Sequence, residues 1–211
     1  MLIFNPFDHM SKKDIKKRVD KIRKKKKNLS SEEICRMMIK KKCRWCAAAG
    51  ALTALPGAVP VLGTVVAVIG GTLLDMTAMA YFITELILEI AVLHNRDIET
   101  AGTSREAVWV LISSVGAGAA GRGLTGVTVK RLSGRAFNRL LEQALLALGI
   151  RASQRTILRI IPFIGMFIAG SINYYICRKV GEFVMKYYAE NSYTDKWDGE
   201  TIDVEVIARG E

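Results

Sequence analysis

Twenty-nine consecutive residues, 46–74, carry no charged side chain. A helix needs about 20 apolar residues to cross a bilayer, so this stretch is long enough to span one. It also contains Pro56, Gly57 and Pro60, which favour a helix break near its middle. The stretch therefore predicts a broken helical hairpin. Such a hairpin either enters a bilayer and returns or forms the core of a helical bundle.

Helix-start and helix-stop signals divide the rest of the chain into further helices. Ser30, with Glu33 three residues later, has the pattern of a capping box. Pro60 fits a first helical position, and Ser104 and Ser153 are further candidate N-caps. The predicted helices are 11–27, 30–55, 60–93, 104–121, a basic helix after residue 126, and 153–190. Only residues 201–208 (TIDVEVIA) alternate like a strand, so the sequence predicts an all-α fold.

An internal repeat relates two of these helices at an offset of 102 residues. Residues 60–67 (PVLGTVVA) align with residues 162–169 (PFIGMFIA), with Pro, Gly and Ala at matching positions. Small or compact side chains then recur every four residues, which places them on one helix face and allows close backbone approach. The two faces consist of Gly63, Ala67, Gly71 and Asp75 in the first copy and of Gly165, Ala169, Asn173, Cys177 and Gly181 in the second.

The repeat predicts a Gly- and Ala-rich bundle in which the two faces pack on each other and enclose Asp75 and Asn173. An ionised aspartate in an apolar interior is costly unless it is paired or neutralised, and the Asn173 amide can donate to it. Two alternatives stay open. Either the helices are Gly-rich without packing together, or Asp75 faces water, because Glu85 and Glu89 lie within about 80° of it on a helical wheel.

The positive charge is concentrated at one end of the chain. The first 50 residues hold 16 Lys and Arg against 5 Asp and Glu, whereas the rest of the chain holds 15 of each kind. A lysine-rich helix with the apolar stripe Ile15, Val19 and Ile22 favours contact with anionic lipid. Nucleic acid is less favoured, because no recognition fold and no interleaved aromatic side chains accompany the cations. The predicted membrane-surface residues are Lys12, Lys13, Lys16, Lys17, Arg18, Lys21, Arg23, Lys24, Lys25, Lys26 and Lys27.

The apolar body, roughly residues 46–191, resembles the EcsC family of bacterial membrane-associated proteins. The resemblance rests on residues 55–98 (LPGAVPVLGTVVAVIGGTLLDMTAMAYFITELILEIAVLHNRDI) and 159–191 (RIIPFIGMFIAGSINYYICRKVGEFVMKYYAEN). Similar Gly-rich helices, with Pro-x-x-Gly and a following Ile-Asn, occur in a domain of YcjF-type GTPase-like chains. The pair His94-Asn95 departs from the family, where a Tyr-Gly pair is expected. The resemblance implies a membrane-associated helical protein and assigns no catalytic residue.

Two sequence motifs resemble cofactor-binding or metal-binding patterns but lack the surrounding sequence that such sites need. Residues 116–121 (GAGAAG) fit a dinucleotide-binding pattern, but no acidic residue follows before Glu142 and no βαβ pattern continues. Cys43 and Cys46 form a C-x-x-C inside a predicted helix, and only Cys35 and Cys177 accompany them. Because zinc needs four ligands and a redox pair needs a helix N-terminus, this pattern favours buried or lipid-facing thiols.

The remaining candidates for acid–base or metal chemistry are Glu85, Glu89 and His94. One turn separates the two carboxylates, but His94 lies about 140° round the helix from Glu89. The favoured partners of the carboxylates are Arg131, Arg135 and Arg139. Without a Ser-His-Asp arrangement or a phosphate-binding loop, the sequence predicts no enzyme activity, no cofactor and no metal.

The chain divides into a basic segment (1–29), a helical domain (30–191) and a polar, acidic tail (192–211). Four cysteines without a secretory leader favour a reducing compartment, and the basic stretch 122–159 between apolar helices favours the cytoplasmic side of a membrane. We expect a non-enzymatic membrane-associated protein that binds or modulates a membrane protein partner, which by family analogy is a transporter or secretion component. The alternatives are a membrane-inserting pore and, less favoured, a nucleic-acid-binding protein. The small-residue faces also allow a homo-oligomer.

Overall fold

The computed structural model describes residues 6–7, 9–54, 64–114, 143 and 164–191. These residues form α1 (Lys12–Lys25), α2 (Ser31–Thr53), α3 (Thr64–Leu93), α4 (Ala101–Ser114) and α5 (Ile164–Glu190). The described part of the chain contains no strand, which confirms the predicted all-α class. Both repeat prolines, the GAGAAG motif, the basic helix after residue 126 and the tail lie outside the described residues.

Helix α1 forms where the basic segment predicts it. Ser11 is the N-cap, and its hydroxyl accepts a hydrogen bond from the Asp14 backbone N–H at 3.3 Å. Ile15 and Val19 are buried in the same core as α2–α5. The boundary at residue 29 is therefore a change in composition and not a division between separate cores.

The predicted capping box of α2 is confirmed. The Glu33 N–H donates to the Ser30 hydroxyl at 3.2 Å, and the Ser30 N–H donates to the Glu33 carboxylate at 2.8 Å. Each group satisfies a donor that the first helical turn leaves without a partner. The helix ends at Thr53, two residues before the predicted end at residue 55.

The polar residues 94–97 end α3 as predicted, through a specific backbone geometry. Asn95 adopts a φ of 62°, in the left-handed region. The Arg96 N–H then donates to the Ala91 carbonyl at 2.9 Å, and the Asn95 N–H donates to the Val92 carbonyl at 3.0 Å. This pair of bonds is the Schellman motif, in which asparagine is the common substitute for glycine.

Helix α4 begins at Ala101, so the prediction of a start at Ser104 is wrong by one turn. Thr100 caps this helix, because its hydroxyl accepts from the Thr103 N–H at 3.2 Å. The Ser104 N–H already donates to the Thr100 carbonyl at 3.3 Å. Ser104 therefore lies inside the first turn of α4, although serine is a residue type that often caps helices.

Small residues of α5 allow close contact with α2. A Cβ atom added at Gly170 would lie 2.9 Å from the Ala47 carbonyl oxygen, and one added at Gly50 would lie 3.0 Å from the Ala169 carbonyl oxygen. Gly181 sits between Ile39 of α2 and a leucine of α3. The predicted contact between the repeat helices is present at Asn173 and Gly181, which meet Asp75 and Leu86 of α3, and the same face of α5 also packs against α2. Gly63 and the side-chain surroundings of Ala67, Gly71 and Gly165 lie outside the described residues.

One described segment, Leu74–Leu93 of α3, has the length and apolar composition of a membrane-spanning helix. Of this segment, 72% is buried inside the fold, and the core helix of a soluble bundle meets the same criteria. The uncharged stretch 46–74 covers the end of α2, the start of α3 and the undescribed residues between them, so its predicted hairpin lies partly outside the described residues.

Candidate functional site

Four side chains from three helices form a buried ion-pair cluster (Arg18, Lys42, Glu85 and Glu89). The Arg18 guanidinium lies 2.6 Å from the Glu85 carboxylate and 3.2 Å from the Glu89 carboxylate. The Lys42 ammonium pairs with Glu85 and lies 3.3 Å from Glu89. The side chains of Lys42 and both glutamates are at most 8% exposed, whereas that of Arg18 is 41% exposed.

The ion-pair cluster balances two cations against two anions. Burial is the main factor that raises the pKa of Glu89, and the neighbouring Glu85 adds to it, whereas Lys42 and Arg18 oppose the shift. A buried pair of this kind contributes little net stability, but removing one partner is costly because the other charge stays buried. The cluster therefore fixes how α1 and α2 sit against α3.

Glu85 and Glu89 have other partners than the predicted arginines of segment 122–159. Arg18 and Lys42 pair with both carboxylates. The signal that could have identified Lys42 is its position on the apolar stripe of α2, among buried Met38, Ile39 and Cys46. A lysine at such a position needs a buried counter-charge.

The eleven predicted membrane-surface cations divide into two groups. Four of them face the fold. Arg18 joins the ion-pair cluster, Lys16 lies 2.7 Å from Asp97, Arg23 donates to the Leu93 carbonyl at the end of α3, and Lys12 donates to Ser104 at 3.5 Å. These contacts attach one side of α1 to α3, to the loop that follows α3 and to the start of α4.

The other predicted cations face outward. Their side chains are exposed, and no carboxylate pairs with them within the described part of the chain. On α2, Lys40, Lys41 and Arg44 are exposed in the same way. The outward-facing basic surface consists of the seven exposed lysines of α1 and the residues that follow it, Lys13, Lys17, Lys21, Lys24, Lys25, Lys26 and Lys27.

Asp75 and Asn173 meet inside the bundle, as the repeat predicted. Each residue is 1% exposed, and the Asn173 amide donates to the Asp75 carboxylate at 2.6 Å and to the Cys46 carbonyl at 3.4 Å. Gly50 of α2 makes room for the amide, because a Cβ atom there would lie 2.5 Å from the Asn173 side-chain nitrogen. This buried polar pair therefore links α2, α3 and α5.

A second buried ion pair holds the other end of the bundle. The Arg96 guanidinium lies 3.1 Å from the Glu106 carboxylate of α4, and it also donates to the Asn191 carbonyl at 2.6 Å. The same guanidinium lies 5.4 Å from the centre of the buried Tyr188 ring. Burial raises the pKa of this tyrosine well above its ordinary value. Arg96 thus joins the end of α3, α4 and the end of α5.

All four cysteines are buried and free, as the C-x-x-C context predicted for the thiols. A hydrogen bond with Cys177 is the main factor that raises the pKa of Cys43, and burial adds to it. Burial raises the pKa of Cys35 to about 12. Thiols in this state are protonated at neutral pH and are poor nucleophiles. Among the described residues, no three His, Cys, Asp or Glu side chains converge closely enough to hold a metal ion.

His94 gives the fold a pH dependence that can be measured. Burial is the main factor that lowers its pKa, and the positive charges of Arg96 and Arg23 lower it further. The unfolded chain then binds a proton at a higher pH than the folded chain does. The contribution of His94 to stability is complete above about pH 6.5 and is lost as the pH falls through the lowered folded pKa.

We therefore expect His94→Gln to flatten the dependence of the unfolding free energy on pH below about pH 6.5. The measurement is urea denaturation at a series of pH values. His9→Gln is the matched control, because His9 is exposed. Equal slopes for His94→Gln and the unmodified chain would contradict the prediction.

No family model, curated protein or solved structure matches the chain. The EcsC-family resemblance therefore stays a prediction from the sequence.

Proposed function

We propose that this chain is a non-catalytic helical protein that attaches peripherally to anionic membrane surfaces on the cytoplasmic side and there binds a membrane protein partner. The proposed attachment rests on the difference between the two sides of α1. One side is held against α3 by Ile15, Val19 and Arg18, and the other presents the lysines of the outward-facing basic surface to solvent.

The electrostatics of this arrangement support membrane attachment. Each Lys or Arg near an anionic leaflet contributes about 1 kcal/mol of binding free energy. The contacts of α1 with α3 hold its lysines on one side of a folded body, so that several of them can reach one surface together. Four free cysteines support a reducing compartment. The membrane protein partner in this proposal is a transporter or secretion component, and this part rests on the resemblance to the EcsC family alone.

Co-sedimentation with vesicles tests the attachment. We expect the chain to bind vesicles that contain phosphatidylserine, not to bind pure phosphatidylcholine, and to dissociate as the salt concentration rises. Lys24→Gln with Lys25→Gln is expected to weaken binding roughly thirtyfold, since two contributions of about 1 kcal/mol are lost. The matched control, Lys179→Gln with Lys186→Gln, removes two exposed charges from α5. Equal losses in the two double variants, or binding that is insensitive to salt, would contradict the proposal.

The same vesicles, loaded with a fluorescent dye, separate this function from the alternative of a membrane-inserting pore. Peripheral attachment through the outward-facing basic surface predicts no dye release at saturating protein. Dye release that rises with bound protein would favour the pore and would contradict the peripheral mode.

A further inference from the structure

Two neighbouring cavities lie along the seam between α2 and α5, and together they are called the α2–α5 groove. The two ends of this groove differ in chemistry. The apolar end has a volume of about 480 Å³ and is lined mainly by Ala47, Ala48, Ala51, Phe167 and Gly170. The basic end has a volume of about 300 Å³, and its charged lining residues are Arg36, Lys40, Arg178 and Glu182. Tyr174 lines both cavities, so they adjoin.

The lining residues of α2 recur at helical spacing, because Arg36, Lys40, Cys43, Ala47 and Ala51 fall three or four positions apart. They therefore form one stripe along the helix, and at 1.5 Å per residue the stripe extends for about 22 Å. This shape is narrow and long, and it matches an extended acyl chain better than a compact ligand.

No described residue fills the apolar end of the groove. The side chains of Ala47, Ala48 and Ala51 are small and leave space in this end of the groove. The Phe167 ring at its rim is 79% exposed. The described lining residues of this end carry no charge. Ligand sites in proteins commonly have this character, with volumes of about 300–1,000 Å³ and mostly apolar walls.

The basic end carries positively charged side chains that can bind an anion. Arg36 pairs with Glu32 at 2.7 Å and Arg178 pairs with Glu182 at 2.8 Å, each at four-residue spacing on an exposed helix face. Such surface pairs are weak, so a ligand anion can compete for the guanidinium groups. In the described part of the chain, no carboxylate pairs with Lys40.

From these observations we propose that the α2–α5 groove binds a single-chain amphiphile with an anionic headgroup. The acyl chain lies along Ala48 and Phe167, and the headgroup contacts Lys40 and Arg178. This site is separate from the outward-facing lysines of α1. The inference therefore goes beyond the proposed membrane attachment and does not rest on it.

The test is a titration of the full chain, without vesicles, with a long-chain fatty acid that carries an environment-sensitive fluorophore at its tail. We expect saturable binding at concentrations below micelle formation. Oleate and oleoyl lysophosphatidate are expected to displace the probe, and their relative potency identifies carboxylate or phosphate as the preferred headgroup. Oleylamine, which has the same chain with a positive headgroup, is expected to be at least tenfold weaker.

Matched variants locate the site. Lys40→Glu is expected to weaken probe binding at least tenfold, whereas Lys41→Glu, a neighbouring exposed lysine outside the groove, changes it less than twofold. Ala48→Phe fills the apolar end and is expected to abolish saturable binding. Ala189→Phe, also at an exposed alanine, leaves binding unchanged. Circular dichroism confirms that each variant retains its helical content.

Two results would overturn the inference. The first is the absence of saturable binding to the unmodified chain, the outcome if other residues of the chain or a second copy fill the groove. The second is equal binding in the members of either matched pair, or equal displacement by oleylamine. Lys24→Gln with Lys25→Gln is expected to bind the probe normally, so failure of this inference is distinguishable from failure of the proposed membrane attachment.

Discussion

Replacement of Lys42 by methionine is expected to lower the free energy of unfolding by about 3–5 kcal/mol. The substitution leaves Glu85 and Glu89 buried with only Arg18, whose side chain is 41% exposed, to balance them. Methionine has a similar shape, so the loss reports the uncompensated charge and not a cavity. Urea denaturation followed by circular dichroism measures the effect. The loss of unfolding free energy is expected to become smaller as the pH falls, because Glu89, whose pKa is already raised, then takes up a proton inside the fold.

Two further variants make this prediction specific to the ion-pair cluster. Lys41→Met alters the neighbouring exposed lysine and is expected to change stability by less than about 0.5 kcal/mol. Lys42→Met combined with Glu85→Leu removes one cation and one anion and leaves Arg18 with Glu89, so most of the lost stability is expected to return. A loss below about 1 kcal/mol for Lys42→Met, or simple addition of the two single effects, would refute the role of the cluster.

Asn173→Asp is expected to be the second severe substitution, with a loss of about 3–5 kcal/mol near neutral pH. The present amide donates to the Asp75 carboxylate at 2.6 Å in a site where both residues are 1% exposed. A second carboxylate at that distance cannot ionise beside the first, so one of them must hold a proton at an unfavourable pH. Stability is therefore expected to recover as the pH is lowered and the pair shares a proton.

Exchange of the two residues provides the control. Asp75→Asn combined with Asn173→Asp keeps one carboxylate and one amide in the same space, and it is expected to restore much of the stability that Asn173→Asp loses. Asp75→Asn alone is expected to be mild, because the Asn173 amide still has a carbonyl-type acceptor opposite it. If Asn173→Asp and Asp75→Asn were equally harmful at neutral pH, like-charge repulsion would not be the cause.

Most helix boundaries followed from local sequence. The Ser30–Glu33 capping box and the polar end of α3 each involve groups within a few residues of one another. Such contacts form whatever surrounds the helix, and for that reason short patterns predict them. A larger boundary error, at the start of α4, arose because Thr100 and Ser104 are both acceptable caps by residue type, and only the backbone bonds distinguish them.

The buried Asp75–Asn173 pair could also be predicted from the sequence, because a repeat places equivalent positions on equivalent helix faces. Other contacts between helices could not be predicted in this way. Whether α5 presents its small residues to α2 or to α3, and whether Arg18 and Lys42 reach Glu85, depends on the rotation and register of helices far apart in sequence. Helical periodicity gives each apolar face but not its partner. The sequence by itself therefore determined the helices and the concentration of positive charge at one end of the chain. Only the tertiary structure decided which cations are held inside and which face solvent, because that depends on which helix each face packs against.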